Sequence, residues 1–253
     1  MSRVGLVLVH GGHHAGDCWG PTVEELRRRS PDTPVLAVDL PGRGRTAGEL
    51  VGARIADWGA SIVAQIDAAG LDEVVLVGHS LAGLSVPDAA TRLGPRRARR
   101  IMLMGAAVPP QGRSLVESAT PLMRWWVRTV SARGVPIPNM PGALAALWFC
   151  NGMTREQRRF SLARLCPESP TVMAERVDRS ALPREIPRTW IITLRDRALT
   201  PRAQRRGIEN LGVDETVEID ACHNAMISAP GELAEILLAG MPAAAQVPPA
   251  AEA

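Results

Sequence analysis

The sequence predicts an α/β fold, in which a mostly parallel sheet of about six strands is flanked by helices and carries a helical cap insertion. Three observations favour this fold class. Short apolar runs recur along the chain, helical patterns lie between them, and one long segment without a strand pattern interrupts the alternation. With 253 residues, the chain is long enough to bury one large core.

The predicted strands are six apolar runs, each bounded by Gly, Pro or charged residues. The first five are almost continuous in Val, Ile, Leu and other apolar residues, which is typical of parallel strands buried on both faces. The runs cover residues 4–9, 34–40, 73–79, 99–105, 188–194 and 215–220.

The predicted helices lie between these strands. Pro21 stands at a first-turn position, Ile55, Ile62 and Ile66 fall on one helical face, and residues 231–240 form a last amphipathic pattern. The alternation of strand and helix indicates a doubly wound sheet.

The domain organisation follows from the one break in this alternation. Residues 1–108 and 184–240 are predicted to form the core, and residues 109–183, which have helical patterns only, a cap over one edge of the sheet. Residues 241–253 are rich in Ala and Pro, which predicts a disordered tail.

Composition excludes several classes of function. The net charge is +3 and the basic residues are spread out, without the aromatic interleaving of a nucleic-acid surface. The apolar runs are far shorter than the roughly 20 residues of a membrane span, and residues 1–12 lack the features of a signal peptide. We therefore expect a soluble, cytoplasmic protein. The chain has no lysine and no tyrosine, so neither residue can serve as its catalyst.

The cysteines show no metal-binding spacing. We expect reduced thiols and no zinc site from the four positions Cys18, Cys150, Cys166 and Cys222.

Candidate catalytic residues stand in the loops after the predicted strands. Ligands bind at the carboxyl ends of the strands in open parallel sheets. Ser80, in GHSLAG, follows the third strand, Asp196 the fifth and His223 the sixth. This is the chain order of a nucleophile-elbow hydrolase, although Ala82 replaces the second glycine of the strict motif.

Each residue type meets a chemical need of acyl transfer. Serine is a weak nucleophile at its free pKa, so His223 would take its proton, and Asp196 would hold the imidazole in the correct tautomer. The backbone N–H groups of Gly12 and Leu81 would stabilise the developing oxyanion. Taken singly, Ser80 could be a helix cap, Asp196 a turn residue and His223 a loop histidine. Their joint order favours the triad.

The remaining histidines have other interpretations. A metal site built from His10, His13 and His14 lacks a carboxylate with suitable spacing, so no metal is predicted. We expect His10 to brace the loop after its strand and His79 to pack beside the nucleophile.

Alternative acids are less well placed than Asp196. Asp17, Asp214 and Asp220 do not follow strands in a triad position, and the end of the fourth strand carries Gly105 where some such enzymes place their acid.

The aromatic residues of the cap allow two interpretations. They form the core of the cap, or one or two of them line an apolar substrate pocket. These residues are Trp125, Trp126, Trp148 and Phe149.

The motifs LVHGGHHAGDCW, VDLPGRG, GHSLAG, RDRALTP and CHNAMISAPGELAEIL resemble those of α/β-hydrolases. More narrowly, they are similar to the branch of plant methylesterases, hydroxynitrile lyases and bacterial carboxylesterases, from about residue 4 to residue 240. The resemblance implies a Ser80–Asp196–His223 triad and oxyanion donors at Gly12 and Leu81. It also implies a position near the substrate for His14.

The chain departs from this branch at three positions. Asp17 stands where the family often has an aromatic residue, Gly105-Ala106 where the fourth strand commonly ends in Asp-Ala, and Asn224 where the similar lyases have a lysine. Cyanohydrin cleavage through such a lysine is therefore disfavoured.

The sequence as a whole predicts a cofactor-free, carboxylesterase-like serine hydrolase. Its substrates would be small to medium apolar carboxylic esters, cleaved through an acyl-enzyme. Two alternatives keep the same site: a lyase, cyclase or decarboxylase of a biosynthetic pathway, or a small-molecule receptor. The expected partner is a small-molecule ester, with no nucleic acid and no membrane, and a homodimer is compatible with the sequence.

Overall fold

The computed structural model describes residues 4–44, 46, 48–118 and 121–242. Within them, six strands form one sheet in the order β2-β1-β3-β4-β5-β6, and every neighbouring pair is parallel. The predicted fold class is confirmed. The strands are β1 (Val4–Val9), β2 (Val35–Val38), β3 (Glu73–His79), β4 (Ala98–Met104), β5 (Arg188–Thr193) and β6 (Glu215–Ile219).

Helices cover both faces of this sheet. Ten α-helices lie in the described residues: α1 (Gly20–Arg29), α2 (Ile55–Ala68), α3 (Ser85–Arg97), α4 (Pro121–Ala132), α5 (Gly142–Phe149), α6 (Arg155–Leu162), α7 (Pro170–Ala174), α8 (Pro201–Leu211), α9 (Ala225–Ser228) and α10 (Pro230–Ala239). None of the helices in the described part of the chain is both long enough and apolar enough to cross a membrane.

Two apolar layers form the core because successive strand residues point to opposite faces. Val7 and Val9 of β1 belong to the layer that also contains Trp58 of α2. Leu6 and Leu8 belong to the other layer, with side chains from α1 and α10. The central strands therefore need apolar residues at every position, which explains their continuous apolar runs.

The position of β2 differs from the expectation that all of the first five strands are buried on both faces. Three of its four residues, Val35, Leu36 and Ala37, are only partly buried. The reason is topological, since β2 lies at an edge of the described sheet, where β1 is its one neighbour.

The cap occupies the long connection between β4 and β5. It contains α4, α5, α6 and α7 and one antiparallel bridge, in which Ile137 and Glu168 exchange two backbone hydrogen bonds. Of the predicted tail, residues 241–253, all but Met241 and Pro242 lie outside the described residues.

Candidate active site

Ser80 stands on a sharp turn between β3 and a short 3₁₀ segment, Ser80–Gly83, that leads into α3. Its φ angle is +51°, in the left-handed region that non-glycine residues seldom adopt. Such backbone strain persists only where the surrounding structure enforces it, and it is concentrated at functional sites. The turn brings the side chain out at the carboxyl end of the strand.

Small residues beside Ser80 let the strand and helix approach each other. A Cβ atom on Gly78 would lie 2.8 Å from Cδ2 of Leu103 and 2.9 Å from Cγ2 of Val86. The side chain of Ala82 is fully buried, and its Cβ would lie 3.4 Å from the same added atom. Alanine at position 82 is thus compatible with this turn.

Ser80, His223 and Asp196 form one hydrogen-bonded series. His223 Nδ1 lies 2.7 Å from Asp196 Oδ2, and His223 Nε2 lies 3.0 Å from Ser80 Oγ. Because a carboxylate accepts only, Nδ1–H donates to Asp196 and Nε2 is free to accept the Ser80 hydroxyl proton. The structure therefore brings the three predicted triad residues together in the geometry of a nucleophile, a base and an orienting acid.

Asp196 is held by three further hydrogen bonds. Thr193 Oγ1 donates to Oδ2 at 2.9 Å, and the backbone N–H groups of Ala198 and Leu199 both donate to Oδ1 at 2.8 Å. The carboxylate is buried, so these donors replace water and fix its orientation toward His223.

Gly105, at the end of β4, makes room for this acid. An added Cβ would lie 3.1 Å from Asp196 Oδ2 and 3.0 Å from Thr193 Oγ1, and the residue has a φ of +48°. The space that a side chain at position 105 would occupy is filled by the Asp196 carboxylate, which comes from the loop after β5.

Gly12 and Leu81 lie side by side on the wall that also carries Ser80. A Cβ on Gly12 would be 3.5 Å from Leu81 Cδ2. Leu81 is in the first turn after Ser80, where backbone N–H groups have no acceptor within the helix. The two predicted oxyanion donors are therefore neighbours of the proposed nucleophile.

Three buried histidines lie near the hydrogen-bonded Ser80, His223 and Asp196. Burial lowers the pKa of His10 and of His79 well below the usual value, and it lowers the pKa of His14 to about 4. His10 donates from Nδ1 to Gly11 O at 2.8 Å and accepts the Leu40 N–H at Nε2. It thus braces the loop after β1, as expected from the sequence.

An apolar cavity of about 260 Å³ opens over Ser80. Ser80 and His223 share it with His14, Asn224 and Glu168, and most of the remaining wall is aliphatic or aromatic. Phe149 stacks on His223, with ring centroids 5.2 Å apart and an interplanar angle of 30°. The apolar wall residues are Leu81, Ala107, Leu115, Phe149, Met173, Ala198 and Leu199.

The cap aromatics divide between cavity and surface. Of the four predicted positions, Phe149 lines the cavity, whereas Trp125 and Trp148 are 63% and 42% exposed and are not among the lining residues. The side chain of Trp126 lies outside the described residues. Both interpretations are wrong for Trp125 and Trp148, which line neither this cavity nor the core of the cap, because both project from their helices toward solvent. The pocket interpretation holds for Phe149.

Sequence reasoning missed several wall residues. Ala198 and Leu199 follow the acid closely, and this proximity was an available signal. Leu115, Met173 and Glu168 come from the cap, where the sequence indicates helices but not which side chains turn inward.

Comparisons with known proteins fit this geometry. The model of the alpha/beta hydrolase family matches residues 6–236. A carbendazim-hydrolyzing esterase from Nocardioides is 36% identical over 114 residues, which are 44% of this chain and 45% of that protein. The chain thus aligns with less than half of the esterase's length.

Two further similarities extend over almost the whole chain. Salicylic acid-binding protein 2 of Nicotiana tabacum is 26% identical over 92% of this chain and 95% of its own length. An extracellular alpha/beta-hydrolase from a Paenibacillus species superposes with a TM-score of 0.81 at 22% identity, covering 94% of this chain and 98% of that one.

The family match covers both halves of the sheet and the loops that carry Ser80, Asp196 and His223. A six-stranded parallel sheet, the strained turn at Ser80 and the three aligned side chains agree with it. This chain belongs to the alpha/beta hydrolase family.

Proposed function

We propose that this protein is a serine esterase that cleaves small apolar carboxylic esters through an acyl-enzyme. The observation that carries the proposal is the series from Ser80 Oγ to His223 Nε2 at 3.0 Å and from His223 Nδ1 to Asp196 Oδ2 at 2.7 Å, placed at the base of an apolar cavity.

The proposed reaction has two halves. Ser80 Oγ attacks the ester carbonyl carbon while His223 Nε2 takes its proton, and Asp196 stabilises the resulting imidazolium. The tetrahedral oxyanion is bound by the N–H groups of Gly12 and Leu81. His223 then returns the proton to the leaving alcohol, and water, activated by the same histidine, releases the acid from Ser80. His223 thus accepts and returns the proton in both halves of the reaction.

The cavity wall supports an uncharged substrate. The surface of the cavity is mostly apolar. The one carboxylate among the described wall residues, Glu168, is neutralised by an ion pair with Arg43. A free carboxylate or phosphate on the substrate would lose its hydration without gaining a cationic partner there. A volume of about 260 Å³ favours short acyl or alcohol groups.

Asn224 supports hydrolysis over cyanohydrin cleavage. It follows His223, lies on the cavity wall and donates from Nδ2 to Ser161 Oγ at 3.1 Å. A neutral amide does not provide the positive charge that a lysine would bring to a leaving cyanide ion.

The test is a chromogenic ester series, such as 4-nitrophenyl acetate, butyrate and laurate, with Ser80→Ala as the matched control. We expect the short esters to have the higher kcat/KM and the variant to lose nearly all turnover. Equal hydrolysis by both proteins would overturn the proposal. Stoichiometric phosphonylation of Ser80 without ester turnover would point to the non-hydrolytic or receptor alternatives.

A further inference from the structure

A buried ion pair lies beside the proposed oxyanion donors and outside the triad. Arg43 comes from the loop after β2 and Glu168 from the cap, and their side chains are only 1% and 2% exposed. Nη2 of Arg43 donates to Oε1 of Glu168. The guanidinium also lies 5.2 Å from the ring centroid of Trp58. Removing two charges from water is costly, so a buried ion pair needs compensating contacts at both of its ends.

The pair binds the loop after β1 on both sides of Gly12. Nη1 of Arg43 donates to the carbonyl oxygens of Gly11 at 3.3 Å and His14 at 3.2 Å. Glu168, the other residue of the ion pair, accepts the backbone N–H of His13 at its Oε2 atom, at 3.0 Å. The two peptide units that flank Gly12 are therefore each held from one side, by the Arg43 cation at the Gly11 carbonyl and by the Glu168 carboxylate at the His13 N–H.

The cap strengthens this hold at His13. The backbone N–H of Cys166 donates to His13 O at 2.9 Å, and His13 Nδ1 donates to Cys166 O at 3.0 Å. His13 has a φ of +59°, a conformation that a non-glycine residue keeps only under external constraint. The same cap segment, ending at Glu168, supplies that constraint.

The charge of Glu168 lies close to the place where negative charge would develop. A Cβ on Gly12 would be 3.0 Å from Glu168 Oε2, so the carboxylate is next to the residue whose N–H is the proposed donor. An unpaired anion at this point would oppose an oxyanion, because electrostatic interactions are strong in a site that excludes water. Arg43 places the compensating positive charge directly on Glu168.

We propose that Arg43 and Glu168 are a positioning pair for the oxyanion hole: they fix the loop from Gly11 to His14 so that the Gly12 N–H faces the oxyanion, and Arg43 neutralises the carboxylate that would otherwise repel it. Neither residue touches the reacting atoms. The inference rests on the proposed function, since it assigns to this loop the binding of an oxyanion.

The test compares Arg43→Met, Arg43→Lys, and the double variant Arg43→Met with Glu168→Gln. We expect Arg43→Met to lower kcat about 100-fold with KM changed less than about threefold, as for the loss of an oxyanion donor. The double variant should have a kcat at least about tenfold higher than that of Arg43→Met. The amide that replaces the Glu168 carboxylate still accepts the His13 N–H and carries no charge. Arg43→Lys, which keeps the charge, should stay within about tenfold of wild type.

A surface variant provides the control. Arg28→Met removes a cation whose ion pair with Glu25 is exposed, and its kcat should equal that of wild type. The free energy of unfolding is measured for every variant by denaturant titration. A merely structural pair would give a double variant no more active than Arg43→Met, and that result would overturn the inference. If Arg43→Met does not fold, the double variant carries the test: a loss of about 100-fold or more there counts against the pair.

Phosphonylation of Ser80 separates this inference from the ester proposal. A fluorophosphonate reacts through the nucleophile, the base and the oxyanion donors, and it does not require the natural ester. Slower labelling of Arg43→Met, with recovery in the double variant, supports the positioning pair even if no ester is turned over. Equal labelling rates for wild type and Arg43→Met would overturn it, whatever the ester assay gives.

Discussion

His79 donates a hydrogen bond from Nε2 to the backbone carbonyl of His223 at 2.9 Å, and the two imidazole rings lie 4.7 Å apart. The residue before the proposed nucleophile thus holds the main chain of the proposed base. His79 is buried, and burial together with the nearby His223 lowers its pKa, so the ring is neutral at pH 7. This contact ties the end of β3 to the loop after β6.

Replacing His79 tests that contact. His79→Phe leaves the His223 carbonyl without its donor, which costs about 1–3 kcal/mol for a buried group, and we expect both stability and kcat to fall, kcat about tenfold. His79→Gln keeps an N–H donor and should lose less of both. Steady-state kinetics and urea unfolding measure the two effects. Identical kcat values for wild type and His79→Phe would refute this role.

Phe149 and its neighbour Trp148 form a matched pair in α5. Phe149 stacks on His223 and lines the cavity, whereas Trp148 is 42% exposed. We expect Phe149→Ala to lower kcat/KM for short esters about 10- to 100-fold, because it removes an apolar wall and a ring that packs on the base. Trp148→Ala should remain within about twofold of wild type. The reverse ranking in a 4-nitrophenyl butyrate assay would contradict this assignment of the cap.

Gly105→Ala should disturb the acid. The new Cβ would lie about 3 Å from the Asp196 carboxylate and Thr193 hydroxyl, at a φ of +48°. The left-handed conformation alone costs a non-glycine residue roughly 1–2 kcal/mol. We expect a lower free energy of unfolding and a lower kcat, with KM little changed. Gly70→Ala, also at positive φ but with open space around it, is the control and should lose stability only.

Asp196→Asn tests the orienting acid. An amide can present its N–H₂ group to His223 Nδ1, which favours the tautomer with the proton on Nε2, and that nitrogen then does not accept the Ser80 proton. The fall in kcat should be about 10⁴-fold at neutral pH, with little change in the thermal midpoint. A loss of less than about tenfold, measured with the same ester, would argue for another carboxylate as the triad acid.

The three buried neutral histidines predict acid sensitivity. The pKa of His14 is about 4 in the folded protein, against 6.5 for the free side chain, and His10 and His79 are lowered in the same direction by burial. At a pH between these two pKa values the unfolded chain binds more protons than the folded one. The free energy of unfolding therefore falls as the pH falls from about 6.5 to about 4.

Replacing one of these histidines should reduce the loss of stability at acid pH. We expect His14→Gln to lose about 1–2 kcal/mol less stability than wild type between pH 7 and pH 5, because one fewer proton is taken up on unfolding. Urea titrations at the two pH values measure the difference. Parallel losses in the two proteins would show that His14 binds its proton equally in both states.

Much of the fold was predictable because local patterns dictate it. The central strands β1, β3 and β4 are buried on both faces, so the apolar runs marked their bounds within a residue or two. The edge position of β2 could not be predicted from the sequence, because the strand order depends on the direction in which each crossover connection runs. An edge strand and a central one can have the same four apolar residues.

The site was predictable where it follows strand ends and was not where the cap contributes. Ser80, Asp196 and His223 lie in the loops at the carboxyl ends of β3, β5 and β6, so the topology alone brought them to one edge of the sheet. Trp148 and Phe149 are adjacent aromatic residues of α5, and only their packing decides which one faces the cavity. The burial of Glu168 depends on Arg43, more than 100 positions away in sequence.

The cap insertion also has a consequence for folding kinetics. β4 ends at Met104 and β5 begins at Arg188, yet the two strands pair in register. Closing so long a loop is entropically unfavourable, and non-local parallel pairing is intrinsically slow. Ser80 lies before this junction and Asp196 after it, so the proposed triad comes together only once the long connection between β4 and β5 has closed. Activity is therefore expected to mark a late event in refolding, after much of the helical structure has formed.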